Sequence, residues 1–297
     1  MSGFIRQHSM ENAFNTSDSW VILNPIEQSI KAKIEKIGKP LKEWDIKIYR
    51  GILTGCNEAF IIDAGKRKEI LANCATQEER KRTDELIRPI LRGRDIKRYG
   101  YNFANLYLIA SHNGIPGKKI PRINIDDYPA VKRHLDSFWP QISKRSDMGD
   151  TPYNLRSCAY WEDLNRQKII WGEISDKTKF AIDAKGDFFA EATTFIMTGT
   201  HLQFLVCFLN SALSEYLFSK IGTTTGVGTV RWKKFKIEQL LVPCINKVQE
   251  KVFITLLAQI SPDNKAAVEE AINQQVFDLC GLSGQEIDFA KNTILSR

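Results

Sequence analysis

The chain has 297 residues, 43% of them hydrophobic and 10% aromatic, and a formal charge of +7 with a pI near 9.0. That composition excludes a disordered, collagenous or low-complexity chain. No apolar run approaches the ~18 residues of a membrane span, and the N-terminus lacks the basic-then-apolar layout of a secretory leader, so a cytoplasmic globular protein is expected.

Residues 1–25 are polar and irregular up to the apolar run Trp20-Val21-Ile22-Leu23, and read as a junction or linker. Ile26, Ile30, Ile34 and Ile37 recur at helical spacing, and Gly38 and Pro40 stop that helix. From Ile46 to Asp63, β-branched and aromatic residues flank Leu53-Thr54-Gly55-Cys56-Asn57, which predicts a β-hairpin with those residues near its tip. Helices are expected over 66–74 and from near Thr76 toward Ile90, the latter interrupted by Pro89. Arg92–Arg98 is a short basic loop, 105–110 an aromatic strand, and 111–122, with two Gly and two Pro, an exposed loop. Tyr128–Ile142 reads as one amphipathic helix. Residues 168–195 alternate like strands, with a hairpin turn at Lys185-Gly186-Asp187. Leu202–Phe218 is apolar on nearly every face and predicts one buried helix. Ile221–Val230 is a Gly/Thr loop, Leu240–Pro243 is strand-like, and the tail from Val248 is helical twice over, with breaks at Pro262 and Gly281. The fold class is α+β: central, mostly antiparallel strands, flanking helices and a C-terminal helical segment. The main body runs over 26–245 and the helical segment over 246–297.

The positive charge is concentrated. Sixteen Lys/Arg stand against eight acids from Arg80 to Arg156, and five bases against none from Lys220 to Lys236, which leaves the rest of the chain at −6. Two basic blocks on an acidic body suggest a face for a polyanion. The chain's own chemistry is unmarked. No phosphate-binding Gly-rich loop has the right spacing, and the four histidines lie far apart. The six cysteines are dispersed, which favours reduced core thiols over zinc ligands or a nucleophile. Neither catalytic nor metal-binding residues are assigned. Asp150-Thr151-Pro152-Tyr153 approaches the Asp/Asn-Pro-Pro-Tyr loop of amino-methyltransferases, but Thr151 replaces the first Pro, and the segment reads as a turn.

Several phrases occur in a familiar order. They are Tyr49-Arg-Gly-Ile-Leu-Thr-Gly-Cys-Asn-Glu-Ala-Phe-Ile-Ile-Asp63, Glu85-Leu-Ile-Arg-Pro-Ile-Leu-Arg-Gly-Arg-Asp-Ile-Lys-Arg-Tyr99, Pro152-Tyr-Asn-Leu-Arg156 with Cys158, and Lys168-Ile-Ile-Trp171. Trp232–Pro243 and Val276–Ile287 close the set. From about residue 20 to 290 the chain resembles the TaqI-like C-terminal specificity domain of type IIG restriction-modification enzymes and adenine-specific DNA methyltransferases. The resemblance implies a module that recognises duplex DNA, not an enzyme by itself. It implies a partner, an adenine methyltransferase domain or subunit, to which residues 1–25 would lead. S-adenosylmethionine and Mg²⁺ would belong to those catalytic domains and no cofactor to this chain. Arg92, Arg94, Lys97 and Arg98 are the expected backbone contacts, and Lys118, Lys119, Arg156, Arg231, Lys233 and Lys234 the wider basic face. Base readers are expected on the loops 111–122, 143–156 and 222–231. Arg94 and Asp95 are a candidate local ion pair. Thr54, Gly55 and Asn57 are expected to build a turn. Two other readings stand beside this one: a divergent nuclease or methyltransferase active by itself, and an assembly subunit of a DNA-modifying complex.

Overall fold

In Lys168-Ile-Ile-Trp-Gly172, Ile169 and Trp171 belong to one apolar core and Ile170 to another, and all three are buried. A strand with two apolar faces must lie between two layers. The computed structural model describes residues 23–224 and 229–295 and places this strand at the centre. Most of the 1–25 junction, and residues 225–228 of the Gly/Thr loop, lie outside the described residues.

In chain order the elements are α1 (Pro25–Ile37), β1 (Gly38–Pro40), β2 (Ile46–Arg50), the single turn α2 (Asn57–Phe60), β3 (Ile61–Asp63), α3 (Ala64–Ala72), α4 (Gln77–Leu86) and β4 (Ile87–Leu91). Then come β5 (Ile96–Lys97), β6 (Gly100–Tyr101), β7 (Leu106–Ile109), α5 (Pro129–Asp136), α6 (Trp139–Ile142), β8 (Lys168–Gly172), β9 (Ile174–Ser175) and β10 (Phe180–Asp183). They are followed by β11 (Phe189–Ala190), β12 (Thr194–Gly199), α7 (Leu202–Leu209), α8 (Ala212–Ile221), β13 (Thr223–Thr224) and β14 (Val230–Arg231). The chain continues with α9 (Lys234–Ile237), β15 (Leu241–Pro243), α10 (Lys247–Gln259), α11 (Lys265–Leu279) and α12 (Gly284–Leu295).

The middle layer is the antiparallel sheet β10-β8-β12-β2. Helices α1, α7, α8 and α10–α12 cover the face bearing Ile48, Trp171, Phe180 and Met197. The second sheet, β11-β4-β7-β3, and helices α3 and α5 cover the opposite face. The fold is the mixed α+β arrangement expected, and each fully buried aromatic contributes on the order of 2–3 kcal/mol. At one end of the sheet Lys168 and Asp183 face each other, fully buried, 2.6 Å apart. Lys168 also donates to Leu164 O, and Asp183 accepts from the amides of Gly186, Asp187 and Phe188.

Several expected elements differ. The 46–63 stretch is not a hairpin: β2 pairs with β12 and β3 with β7, in different sheets. The chain leaves β2 at Gly51, whose absent Cβ would lie 2.1 Å from Glu191 O, and crosses between layers there. Pro89 does not interrupt a helix but sits in β4, opposite Tyr107. A residue before proline is barred from helical geometry, so Arg88 is extended and α4 ends at Leu86. The 128–142 helix is two helices, because Pro140 cannot continue the first. Lys185-Gly186-Asp187 joins β10 to a strand of the other sheet, wrapped around the Asp183 carboxylate. The 202–218 helix breaks into α7 and α8, bent by 72°. Asn210 at the bend turns its amide to β10, bonding Phe180 N at 3.0 Å and Phe180 O at 2.8 Å, and Ser211 caps α8. The tail holds three helices. Among the described residues no single helix is long and apolar enough to cross a membrane; the bent α7–α8 pair has the length and composition and is mostly buried here.

Candidate nucleic-acid interface

Two of the loops expected to carry recognition, 111–122 and 143–156, are braced against each other and against the 53–57 turn by polar side chains. Arg145 is 6% exposed and donates to the carbonyls of Thr54, Asp147, Pro152 and Asn154, with its guanidinium over the Phe60 ring. Burial without a carboxylate bonded to it lowers its pKa to about 10, so it stays charged at neutral pH. One arginine thereby ties the 53–57 turn to the 145–156 loop. Within that turn Thr54 Oγ1 donates to Asn57 Oδ1 and accepts from Cys56 N, and Gly55 has φ +67°, which is turn chemistry as expected. Asn113 joins the 111–122 loop to the same set: its amide donates to Asp150 and Ser157, and its carbonyl accepts from Asp150 N. The Asp150–Tyr153 segment is part of this scaffold, with Tyr153 Oη donating to Asp136.

The Arg92–Arg98 loop is held differently. Asp95, 5% exposed, accepts from Arg92 N (2.9 Å), Nε (3.0 Å) and Nη2 (2.8 Å). Burial alone would raise the Asp95 carboxyl, but these bonds and the Arg92 charge outweigh it and hold it below the usual carboxylate range. The ion pair expected between Arg94 and Asp95 is therefore made by Arg92, and Arg94 is exposed. Gly93 donates to Thr193 Oγ1, and a Cβ on Gly93 would lie 3.4 Å from Gly172 Cα. That close approach packs the 93–95 turn against the end of β8.

Glu173 lies between two arginines, 3.9 Å from Arg50 Nη2 and 3.7 Å from Arg231 Nη1, both about half exposed. Arg50 Nε donates to Ala192 O, and Tyr160 Oη donates to Arg50 O while its ring stacks on Tyr49 at 4.3 Å. A small cleft of about 180 Å³ lined by Gly51, Leu53 and residues 156–160 continues the surface to Arg156, which pairs with Asp147 at 3.0 Å. On the other side Trp232 N donates to Glu173 O, bringing Lys233 and the exposed Lys234 alongside, the latter paired with Glu238. Arg50, Arg231, Lys233 and Lys234 thus gather around Glu173, with Arg156 across the adjoining cleft, and this strip runs past the strand ends of the central sheet; Arg94 is exposed on the turn packed against Gly172.

The other expected contacts lie elsewhere. Lys118 pairs with Glu162, and Lys119 is exposed at φ +55° on the same loop. Lys97 turns back to Arg94 O. Arg98 sits at the tip of the β5–β6 hairpin, where Tyr99 takes φ +63°, and points to the C-terminal helices. It donates to Asn210 O and lies 3.7 Å from Glu269, while Lys265 Nζ donates to Arg98 O. Sequence reasoning missed Arg50 and the ordering role of Glu173. The signal for Arg50 was present in the Arg50-Gly-Ile phrase, but it lies outside both basic blocks.

Burial holds the Cys158 thiol up to about 11, so it is protonated at neutral pH, as is Tyr160, raised to about 12. Among the described residues no three His, Cys, Asp or Glu side chains converge as a metal site would require. The arrangement is a preformed, cationic, loop-built surface.

The family model for TaqI-like C-terminal specificity domains matches residues 88–242, just over half of the chain. The 49–63 phrase precedes that match. Two solved structures share the fold. One is the type IIG restriction endonuclease BpuSI, at 12% identity and TM-score 0.50, covering 86% of this chain and 32% of that one. The other is the type IIL restriction-modification enzyme MmeI in complex with DNA, at 11% identity and TM-score 0.59, covering 87% and 37%. The chain spans about a third of the length of each. No curated protein matches the sequence.

Proposed function

We propose that this chain, which belongs to the family of TaqI-like C-terminal specificity domains, recognises a target sequence in duplex DNA and presents it to an adenine methyltransferase domain or subunit. The observation that carries this reading is the group of exposed and half-exposed arginines: Arg50 and Arg231, at the ends of β2 and β14, share Glu173, Arg156 lies on the cross-braced 145–156 loop, and Arg94 is on the turn packed against Gly172. Phosphate binding needs cations at fixed positions, and base reading needs donors on projecting loops; the strip supplies both. Glu173 orients Arg50 and Arg231 without burying them, so the arginines are placed before DNA arrives. Methylation, and cleavage where a nuclease is attached, belong in this reading to catalytic domains that hold S-adenosylmethionine and Mg²⁺. The residues described here do not fit a metal, and no step is assigned to them.

The test is duplex affinity against salt. Each phosphate neutralised contributes a slope of about −0.9 in log K against log salt. Replacing Arg94, Arg156 and Arg231 by Ala should flatten the slope by about 3 in total if all three contact phosphate, and by less where one reads a base. A slope unchanged in the triple variant would remove the strip as the interface.

A further inference from the structure

A second site lies apart from the strip residues, in an open cleft of about 420 Å³ between α4, the 111–123 loop and the turn at residues 161–165. Its lining combines aromatic rings with guanidinium groups. Phe189 is buried beneath it, Trp161 packs on Phe189 at 5.3 Å, and His112 packs on Trp161 at 5.1 Å. Tyr128 is a further wall, with Arg82 over its ring at 6.0 Å. Arg88 rests over the Phe189 ring at 5.4 Å and has no hydrogen-bond or ion-pair partner among the described residues. Its planar fork of five N–H donors is therefore open to the oxygens of a ligand.

We propose that this cleft binds a nucleotide unit, an aromatic base carrying one phosphate. The cleft lies within the size range of small-ligand sites. Trp161, Tyr128 and His112 offer ring faces to a base, and Arg88 offers paired donors to phosphate oxygens. Arg82 has one nitrogen committed to Asp127 O at 2.9 Å and keeps donors to spare. Burial lowers the His112 pKa, so the ring is neutral at pH 7; its Nδ1 accepts from Gly114 N, which places its proton on Nε2. Glu85 also lines the cleft, and with Arg82 and Arg88 it leaves a net charge of +1, which suits a single phosphate better than a polyphosphate. The Lys118–Glu162–Arg166 cluster lies next to Trp161. Trp161 of this cleft adjoins Tyr160, which lines the small cleft beside Arg156, so the source of the nucleotide unit is either free monophosphate or a nucleotide displaced from a duplex. The site does not depend on the strip being the interface.

The 297-residue chain would be titrated calorimetrically with deoxyadenosine monophosphate, deoxyadenosine and inorganic phosphate. It would also be titrated with a duplex carrying one bulged adenosine and with its fully paired counterpart. The monophosphate should bind more tightly than either fragment, and R88A should weaken it roughly tenfold or more. W161A should weaken it by a similar factor through lost stacking. R88K, which keeps charge and stem but not the planar fork, serves if R88A disturbs folding, and should recover part of the affinity. A nucleotide taken from DNA would show instead as a preference for the bulged duplex that R88A and R88K reduce, with paired-duplex affinity unchanged. Neither monophosphate binding nor a bulge preference dependent on Arg88 would overturn the site. Loss of paired-duplex binding by the unaltered chain would instead count against the recognition strip, and the monophosphate titration would still decide the cleft.

Discussion

Replacing Asp95 by Ala probes how the Arg92–Arg98 loop is held. The substitution removes three acceptor contacts to Arg92, at 2.8–3.0 Å, from a carboxylate that is 5% exposed. Breaking a fully buried pair costs about 3–5 kcal/mol. The Arg92 side chain is 23% exposed and can partly rehydrate, so the expected cost is smaller, about 2–3 kcal/mol. Urea unfolding at pH 7 should show a lower midpoint at unchanged slope. The carboxyl pKa is depressed in the folded state, so its contribution is fully present above the unfolded value of about 3.9 and is lost as pH falls through the folded value. The gap between D95A and the unaltered chain should therefore narrow as pH falls below the unfolded carboxylate value. Duplex affinity should fall as well, because Arg94 loses its fixed position. A midpoint within about 0.5 kcal/mol of the unaltered chain, or a gap that does not change with pH, would refute the loop's dependence on this pair.

Other outcomes follow from the same structure. K168M leaves Asp183 buried without its counter-charge and should cost about 3–5 kcal/mol by denaturant unfolding. Glu286 accepts from Lys33, the Ser29 hydroxyl and Ser283 N; burial would raise its pKa, but these partners hold it at about 2. Against an unfolded value of about 4.3, that is worth about 3 kcal/mol, present above pH 4.3 and lost toward pH 2. E286Q should therefore lower stability at neutral pH and converge with the unaltered chain in acid, as an acid-unfolding series would show. R98A should lower the thermal midpoint yet leave duplex affinity within about twofold, because Arg98 engages α11 rather than the strip.

What the sequence disclosed and what it hid divide along the range of the interactions. The strand-like character of 168–195 disclosed the central strand, and the Ile spacing of 26–37 disclosed α1, because each pattern is local. The pairing of β2 with β12 joins residues some 145 positions apart and turns on the approach of Gly51 to Glu191, which no local pattern encodes. The helical break at Asn210 is of the same kind: an amide inside an apolar run reads as a tolerated polar residue until its partner strand is known. For the candidate interface, charge counting marked the basic blocks that hold Arg94, Arg98, Arg145, Arg156 and Arg231 but carries no information on which of these side chains are exposed and which are committed to other parts of the fold. The tight β5–β6 hairpin sends Arg98 to the helical side, and four carbonyls enclose Arg145. Arg50 escaped for the opposite reason, since a single cation in a neutral stretch adds nothing to a block of charge.

The most direct test of sequence-specific recognition is selection from a randomised duplex pool by this chain at about 150 mM salt. Recognition through the strip predicts enrichment of one defined sequence, bound at least roughly 10³-fold more tightly than random duplex. It also predicts loss of that enrichment when Arg50, Arg156 and Arg231 are replaced by Ala. A pool that stays random after selection, or an enrichment that survives the three substitutions, would contradict it.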